Sequence, residues 1–181
     1  NIGSTDVVYA MNVSQTLYKS TDGIHWDSLP TTYPIVSIYG KLPSADGEFS
    51  ILTVVNNEGA LRFAKTTDFS SFTLFNTIPT GIPTRDFSNL SLETANVYTA
   101  KYIILSGGKA IDNAINDKIW LLQQNRDEIK KIEIPNHDTI PIQQGTIFWY
   151  YEKLYLFSGK EKEGVYKNKL YFSANYGINW T

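Results

Sequence analysis

The 181-residue sequence contains no cysteine. This absence excludes disulfide bonds, thiolate metal ligands and a cysteine nucleophile. Lysine and arginine number sixteen against eighteen aspartates and glutamates, and no block of basic residues occurs. The chain therefore lacks the positive patch with which proteins hold the phosphates of DNA or RNA, and we expect no nucleic-acid partner.

Long apolar runs and helical patterns are also missing. No run approaches the ~20 apolar residues of a membrane-spanning helix, so we expect no membrane span. No segment of helical length repeats its apolar residues at helical spacing. The chain has instead 42% hydrophobic and 14% aromatic residues, a composition typical of a globular protein with a substantial core.

One sequence pattern recurs four times along the chain. It consists of a short apolar strand, a polar turn and a second strand, and its copies begin at Leu17, Leu61, Ile119 and Leu170. Further apolar strands precede these copies and begin at Val7, Ile35, Phe49, Phe87, Lys101, Gly145 and Lys153. The strands thus recur in groups of four, at the spacing of roughly 40–50 residues that is typical of a propeller blade.

Several of these strands are apolar on both faces, as in Ile103-Ile104-Leu105. Such strands suit a sheet that neighbouring sheets cover on both sides. The sequence therefore predicts an all-β fold, a single-domain β-propeller of four-stranded antiparallel blades at about residues 1–30, 31–80, 81–135 and 136–181. These four blades form either a closed ring or part of a larger, six-bladed ring. In the second case we expect self-association or pairing with another chain, because open blades expose apolar faces and strand edges.

The polar turns carry a recurring pattern of serine, aspartate or asparagine, glycine and tryptophan. Its members are Ser20, Asp22, Gly23 and Trp26 in the first copy, Asp68 in the second, and Ser173, Asn175, Gly177 and Trp180 in the last. The pattern resembles the Asp-box of bacterial propellers. The short carboxylate or amide accepts backbone N–H groups of the turn, glycine adopts a positive φ, and tryptophan covers the hairpin. We interpret these residues as a structural turn clamp, since one isolated carboxylate makes neither a metal site nor an acid–base pair.

A second pattern concerns the last two blades. Leu105-Ser106-Gly107-Gly108, followed by Asn116 to Trp120, is similar to a kelch repeat, and Phe157-Ser158-Gly159 repeats it with one glycine fewer. Together the two patterns resemble the kelch-like, Asp-box (BNR) propeller domains of exported Bacteroidetes proteins, many of unknown function. The resemblance implies a binding or scaffolding module on the bacterial cell surface or in the periplasm. Nothing in the sequence indicates a cofactor or a metal.

Ligand-binding residues are expected on the propeller face opposite the turn clamps. That face carries the loops that join one blade to the next and the loops that join the second to the third strand of each blade. The candidates are Arg85, Asp86, Asn113, His137 and Tyr166. The guanidinium of Arg85 offers a bidentate fork for a carboxylate or sugar hydroxyls, although Arg85 and Asp86 equally fit a surface ion pair. Carboxylate and amide side chains of the kind that bind calcium also occur close together, at Asp112, Asn113, Asn116 and Asp117. Their spacing does not match an EF-hand loop.

Three functions remain open at this point. The first is a non-catalytic binding or scaffold module whose ligand is a glycan or a protein. The second is a sialidase-like glycoside hydrolase, or a fragment of one, which needs an arginine triad and a tyrosine nucleophile with an acidic partner. Only Arg62, Arg85 and Arg126 are available as arginines, and we place Arg126 on the wrong face. The third is a purely structural assembly module. We favour the first and expect no enzymatic activity.

Overall fold

The computed structural model describes residues 7–43, 49–92, 102–116, 118–124, 128–133, 142–143, 145–157, 160–161, 169–174 and 179–181. All regular secondary structure in these ranges is β-strand. The described residues include no helix that could cross a lipid bilayer. The all-β class predicted from the strand pattern is therefore confirmed.

Four antiparallel sheets follow one another along the chain. The first contains β1 (Val8–Met11), β2 (Leu17–Ser20) and β3 (Asp27–Ser28). The second contains β4 (Ile35–Pro43), β5 (Phe49–Asn57), β6 (Ala60–Thr66) and β7 (Thr73–Thr77). The third contains β8 (Arg85–Leu92), β9 (Tyr102–Lys109), β10 (Ile119–Gln124) and β11 (Ile129–Glu133).

The last five strands are β12 (Ile142–Gln143), β13 (Thr146–Tyr150), β14 (Lys153–Phe157), β15 (Lys160–Glu161) and β16 (Leu170–Ser173). The fourth sheet has the order β13-β14-β16, while β12 and β15 form a separate two-stranded ribbon. Phe172 and Thr181 exchange two backbone hydrogen bonds, each of 3.0 Å. The chain thus begins to pair along the outer edge of the fourth sheet, where the repeat predicts a final strand.

Three hydrophobic cores lie between the successive sheets. The core between the first and second sheets contains Leu17, Ile35, Val55, Ala64 and Phe69. The core between the second and third sheets includes Tyr39, Leu52, Val54, Phe63, Ile103, Leu105, Trp120 and Leu122. The core between the third and fourth sheets contains Ile104, Ile119, Ile147, Leu154, Leu156 and Trp180.

The two central sheets are buried on both faces, as their apolar strands require. On β9, Ile104 packs towards the fourth sheet, whereas Ile103 and Leu105 pack towards the second. β4 contacts β8, and β8 contacts β13, so the first strands of the last three sheets converge on one side of the stack, the side of the propeller axis. Among the described residues, no core joins the fourth sheet to the first.

Candidate functional site

A cleft with a volume of about 860 Å³ opens between the first three sheets. Its lining comes from the β1–β2 loop, the start of β4, residues 84–87 and the loop after β9. Arg85, Asp86 and Asn113, three of the five predicted ligand-binding residues, lie together in this lining. The other two, His137 and Tyr166, lie outside the described residues.

The backbone just before Arg85 is held from two sides. The hydroxyl of Ser37 donates to the carbonyl of Thr84 at 2.6 Å, and the hydroxyl of Tyr39 donates to the carbonyl of Pro83 at 2.9 Å. The N–H of Thr84 donates to the carbonyl of Lys109 at 2.7 Å. Burial raises the pKa of Tyr39, which keeps its phenol protonated as a donor. The inner strand β4 and the end of β9 thus fix where Arg85 stands.

The charges of the cleft are distributed unequally. Asp86 Oδ2 lies 3.7 Å from Lys109 Nζ, so the ion pair of Asp86 is with Lys109 and not with Arg85. Arg85 is exposed and has no ion-pair partner in the part of the chain that the structure describes. Its guanidinium therefore leaves uncompensated positive charge at the cleft, with hydrogen-bond donors available to a ligand.

Backbone strain is concentrated in the same cleft. Gln15, Asp86 and Asn113 have φ values of 63°, 55° and 67°, in the left-handed region that residues other than glycine seldom occupy. They are three of the seven non-glycine residues with positive φ in the described ranges. Such conformations cost of order 1–3 kcal/mol each and occur preferentially at functional sites. The clustering supports a ligand site here.

The loop after β9 is fixed by Asn116, which is only 5% exposed. Its side-chain amide donates to the carbonyls of Gly107 and Lys118, both at 2.8 Å, and its oxygen accepts from Trp120 Nε1 at 2.9 Å. Asn116 is therefore a structural anchor and is not available as a ligand for calcium. In the described ranges, no group of three or more histidine, aspartate or glutamate side chains could hold a metal ion.

The turn of the first sheet has the hydrogen bonds expected of a clamp. Asp22 Oδ1 accepts the N–H groups of Ile24 and His25, each at 2.8 Å, and Ser20 Oγ accepts the N–H of Gly23 at 2.8 Å. His25 Nδ1 lies 2.7 Å from Asp22 Oδ2. The bonds from His25 lower the pKa of Asp22, and the same contact raises the pKa of His25. This turn does not line the cleft.

The turn of the second sheet uses the same chemistry. Asp68 Oδ1 accepts the N–H of Ser70 at 2.9 Å, and the hydroxyl and N–H of Ser70 lower the pKa of Asp68. The hydroxyl of Thr66 accepts the N–H of Phe69 at 2.8 Å. Thr66 thus acts at the place that Ser20 occupies in the first turn.

The two tryptophans of the pattern differ in environment. Trp180 is 8% exposed and packs into the core between the third and fourth sheets, and Ser173 of the same turn is buried. Trp26 is 40% exposed and belongs to none of the three cores. Trp26 is therefore only partly covered, in contrast to Trp180. Asn175 and Gly177 lie outside the described residues.

The β1–β2 loop was missing from the predicted ligand face, although it lines the cleft. Asn12 Oδ1 accepts the N–H groups of Ser14 and Thr16 at 3.0 and 2.9 Å, which closes the loop and places Gln15 at the cleft. The loop joins the second to the third strand of its blade. The same topology rule, which places loops between second and third strands on the ligand face, would have predicted the β1–β2 loop if it had been applied to the first blade.

The chain is similar to known proteins in both sequence and fold. Residues 2–181 match the family described as DUF6242 beta propeller domain. The chain belongs to this family. A solved GH43 endo-arabinanase from Bacillus licheniformis is similar over 99% of this chain and 71% of that chain, with a TM-score of 0.48 and 15% identity. At this identity and TM-score the likeness carries no argument about activity. No curated protein matches the chain in sequence.

Proposed function

We propose that this propeller domain is a non-catalytic binding module whose cleft takes a glycan that carries a carboxylate. The observation that carries the proposal is the exposed side chain of Arg85 in the lining of a cleft of about 860 Å³, next to a backbone that β4 and β9 hold at Thr84. Arginine binds carboxylates through two parallel hydrogen bonds, which fixes their orientation. Asp86, neutralised by Lys109, adds acceptor oxygens suited to sugar hydroxyls.

The size and lining of the cleft support a small ligand. Binding sites for small molecules usually enclose ≈ 300–1,000 Å³ and combine apolar walls with a few polar groups. Here Met11, Val36 and Ile111 supply apolar wall, while Asn113 and Gln15 supply polar side chains. Such mixed walls match a sugar ring, which presents C–H surface on its faces and hydroxyls at its edge.

Hydrolysis is the second candidate, and the cleft gives it less support. Glycoside hydrolases usually place two carboxyl groups on either side of the scissile bond. Asp86 is the one carboxylate in the described lining of the cleft, and it is paired with Lys109. A sialidase-like mechanism also needs an arginine triad, and Arg62, which donates through Nε to the carbonyl of Phe75, is used within the second sheet.

The extracytoplasmic location and the kelch-like, Asp-box character of the turns are part of this proposal. Their support is the residue pattern of the turns and the hydrogen bonds of Ser20, Asp22, Thr66 and Asp68. Protease treatment of intact cells that produce the parent protein tests the location. Cleavage in intact cells is expected for a surface position, and cleavage only after the outer membrane is permeabilised is expected for a periplasmic one. Protection that persists until the cytoplasmic membrane is lysed would contradict an extracytoplasmic location.

The binding proposal is tested on an array of neutral and carboxylate-bearing glycans, followed by titration calorimetry with the best binder. We expect Arg85→Met to weaken binding at least about tenfold, because hydrogen bonds to charged groups contribute roughly 1.5–3 kcal/mol. Lys130→Met is the matched control, since this exposed cation pairs with Glu128 away from the cleft, and it should bind like the wild type.

Four other outcomes would count against the proposal. Preference for neutral glycans, or equal loss in both variants, would remove the role of Arg85. Binding of a protein and of no glycan would overturn the ligand class. Release of reducing sugar from the bound glycan would show that the domain is catalytic.

A further inference from the structure

A second, smaller pocket lies on the same face of the propeller as the cleft. It has a volume of about 300 Å³. One wall is the loop from β7 to β8, at Thr80 and Gly81, and another is the loop after β9. The loop after β9 separates the two sites, because its residues Ile111 and Asn113 line the cleft whereas Ala114 lines the pocket. The pocket is therefore distinct from the proposed glycan site.

Two lysines of this pocket lie against one tryptophan ring. Lys131 Nζ is 4.1 Å and Lys118 Nζ is 5.5 Å from the ring centroid of Trp120. At these distances the ring attracts an ammonium group. Trp120 is 5% exposed, so its ring is a fixed support. Because both lysines also line the same small pocket, an anion bound there lies close to both charges.

The main chain holds this arrangement in place. Asn116 Oδ1 accepts the N–H of Lys118 at 3.2 Å and the indole N–H of Trp120 at 2.9 Å. Lys131 lies opposite Leu122, two residues after Trp120 on β10, so Lys131 and Trp120 share one face of the third sheet. Lys131 Nζ also donates to the carbonyl of Thr80 at 3.1 Å. Such pre-organisation reduces the entropy lost when a ligand binds.

The charge of the pocket favours an anion. The lining residues that the structure describes include no aspartate or glutamate. Lys131 forms no ion pair with any described residue, in contrast to Lys109 at the cleft, which pairs with Asp86. An ammonium group has three N–H donors. The carbonyl of Thr80 accepts one from Lys131, which leaves donors for a ligand.

We propose that Lys131 and Lys118 form a second binding site, whose ligand is a tetrahedral oxyanion, either a free sulfate or phosphate ion or its ester on a larger molecule. Lysine acts as a point charge and lacks the planar fork with which arginine matches a carboxylate. Two ammonium groups carried by different parts of the third sheet suit an anion whose oxygens point in several directions. This proposal does not rest on the proposed function of the cleft.

The test is an NMR titration that follows the indole N–H signal of Trp120. The probes are sodium sulfate, sodium phosphate and glucose 6-sulfate, with sodium chloride holding the ionic strength constant, since salt screens exposed charges. The wild type should show a saturable shift. Lys131→Met and Lys118→Met should each raise the dissociation constant, Lys131→Met by at least about tenfold, because each removes a charged hydrogen-bond donor.

Lys130→Met is the matched control, because it removes the same charge from the next residue of β11. Lys130 lies opposite Gln123, on the other face of the sheet, and pairs with Glu128. This variant should bind like the wild type, and so should Arg85→Met, whose change lies in the cleft. The dispersion of the amide signals verifies that each variant is folded.

The probes also distinguish the sources of the anion. Tighter binding of glucose 6-sulfate than of the inorganic ions would support an ester as the ligand, and the reverse order would support a free ion. No saturable shift with any of the three probes, or equal weakening in Lys130→Met, would overturn the site. Weakening in Arg85→Met would place the anion in the cleft instead. Equally tight binding of sodium acetate would overturn the preference for a tetrahedral anion.

Discussion

Asn113 and Asn116 lie three residues apart in the loop after β9, and their environments separate their roles. Asn113 is exposed at the cleft and has a left-handed backbone. Asn116 is buried and its amide and carbonyl oxygen bond to Gly107, Lys118 and Trp120. From the sequence the two residues are equivalent candidates for a ligand loop, because residue type alone does not show burial.

We expect Asn116→Ala to destabilise the protein by at least about 2 kcal/mol. The change leaves the indole N–H of Trp120 and the carbonyl of Gly107 without the side chain of Asn116 as partner, and each buried group left unpaired costs ≈ 1–3 kcal/mol. Urea unfolding followed by tryptophan fluorescence measures the effect. Asn113→Asp is the control and should change stability by much less, since that side chain is exposed and aspartate tolerates the left-handed backbone as asparagine does. Equal losses in both variants would contradict the anchoring role.

The contact of Asp22 with His25 predicts a local pH dependence. The pKa of His25 is raised above 6.5, so its contribution to stability is complete below 6.5 and disappears as pH rises through the raised value. The pKa of Asp22 is lowered from 3.8, so its contribution is complete above 3.8 and disappears as pH falls through the lower value. Between these limits both groups are charged, and the turn is most stable there.

NMR titration of the histidine ring protons measures this effect directly. We expect His25 to titrate above 6.5 in the wild type and to return towards 6.5 in Asp22→Asn, which removes the charge and keeps a similar shape. His137→Gln assigns the signals, because the chain has two histidines. Added salt should reduce the shift, since both groups are exposed. A pKa for His25 that Asp22→Asn leaves unchanged would refute the contact.

At the scale of elements, the approach of β8 to β9 depends on one glycine. Gly108 has a φ of +85°, and a Cβ there would lie 2.7 Å from the carbonyl oxygen of Arg85 and 2.7 Å from Cβ of Phe87. The glycine pair of the kelch-like pattern thus allows β9 to pass close beside the strand that carries the cleft arginine. Any side chain at this position would push Arg85 away from its place.

We expect Gly108→Ala to lose more stability than Gly59→Ala. Both glycines have nearly the same φ, +85° and +86°, so the backbone penalty of roughly 1–2 kcal/mol is shared. Only Gly108 adds a steric clash, which costs typically a further 1–3 kcal/mol, because Gly59 has no atom within 4 Å of the new methyl group. Thermal unfolding of the pair isolates the clash. Equal destabilisation would show that β8 moves freely.

The strands were largely predictable from the sequence, and the exception has a physical reason. Apolar runs such as those of β5, β9 and β14 must be strands buried on at least one face, and the structure confirms them. The ribbon of β12 and β15 was not predicted. Its strands contain two residues each, which is too few to show an alternation of apolar and polar residues in the sequence.

At the scale of the whole molecule, the cleft was only partly predictable. The face that carries Arg85, Asp86 and Asn113 followed from propeller topology alone. Their convergence depends on contacts between sheets, such as those of Ser37 and Tyr39 with the backbone before Arg85, which are 47 and 44 residues apart in sequence. The alternation of apolar and polar residues along one strand does not show which distant residues will hydrogen-bond. The sequence therefore predicted the face of the propeller on which these residues lie but not the cleft that they form.

The order of the sheets predicts which sheets unfold locally most easily. The second and third sheets each contribute to two cores, whereas the first and fourth each contribute to one. Separating a central sheet must therefore break twice as many interfaces as releasing a terminal sheet. Because regions open locally with free energies set by their packing, amide hydrogen exchange should be slowest in β5, β6, β9 and β10.

We expect exchange in β1, β2 and β16 to be at least about tenfold faster than in these central strands. Uniform exchange across all four sheets would show instead that the propeller opens as one cooperative unit.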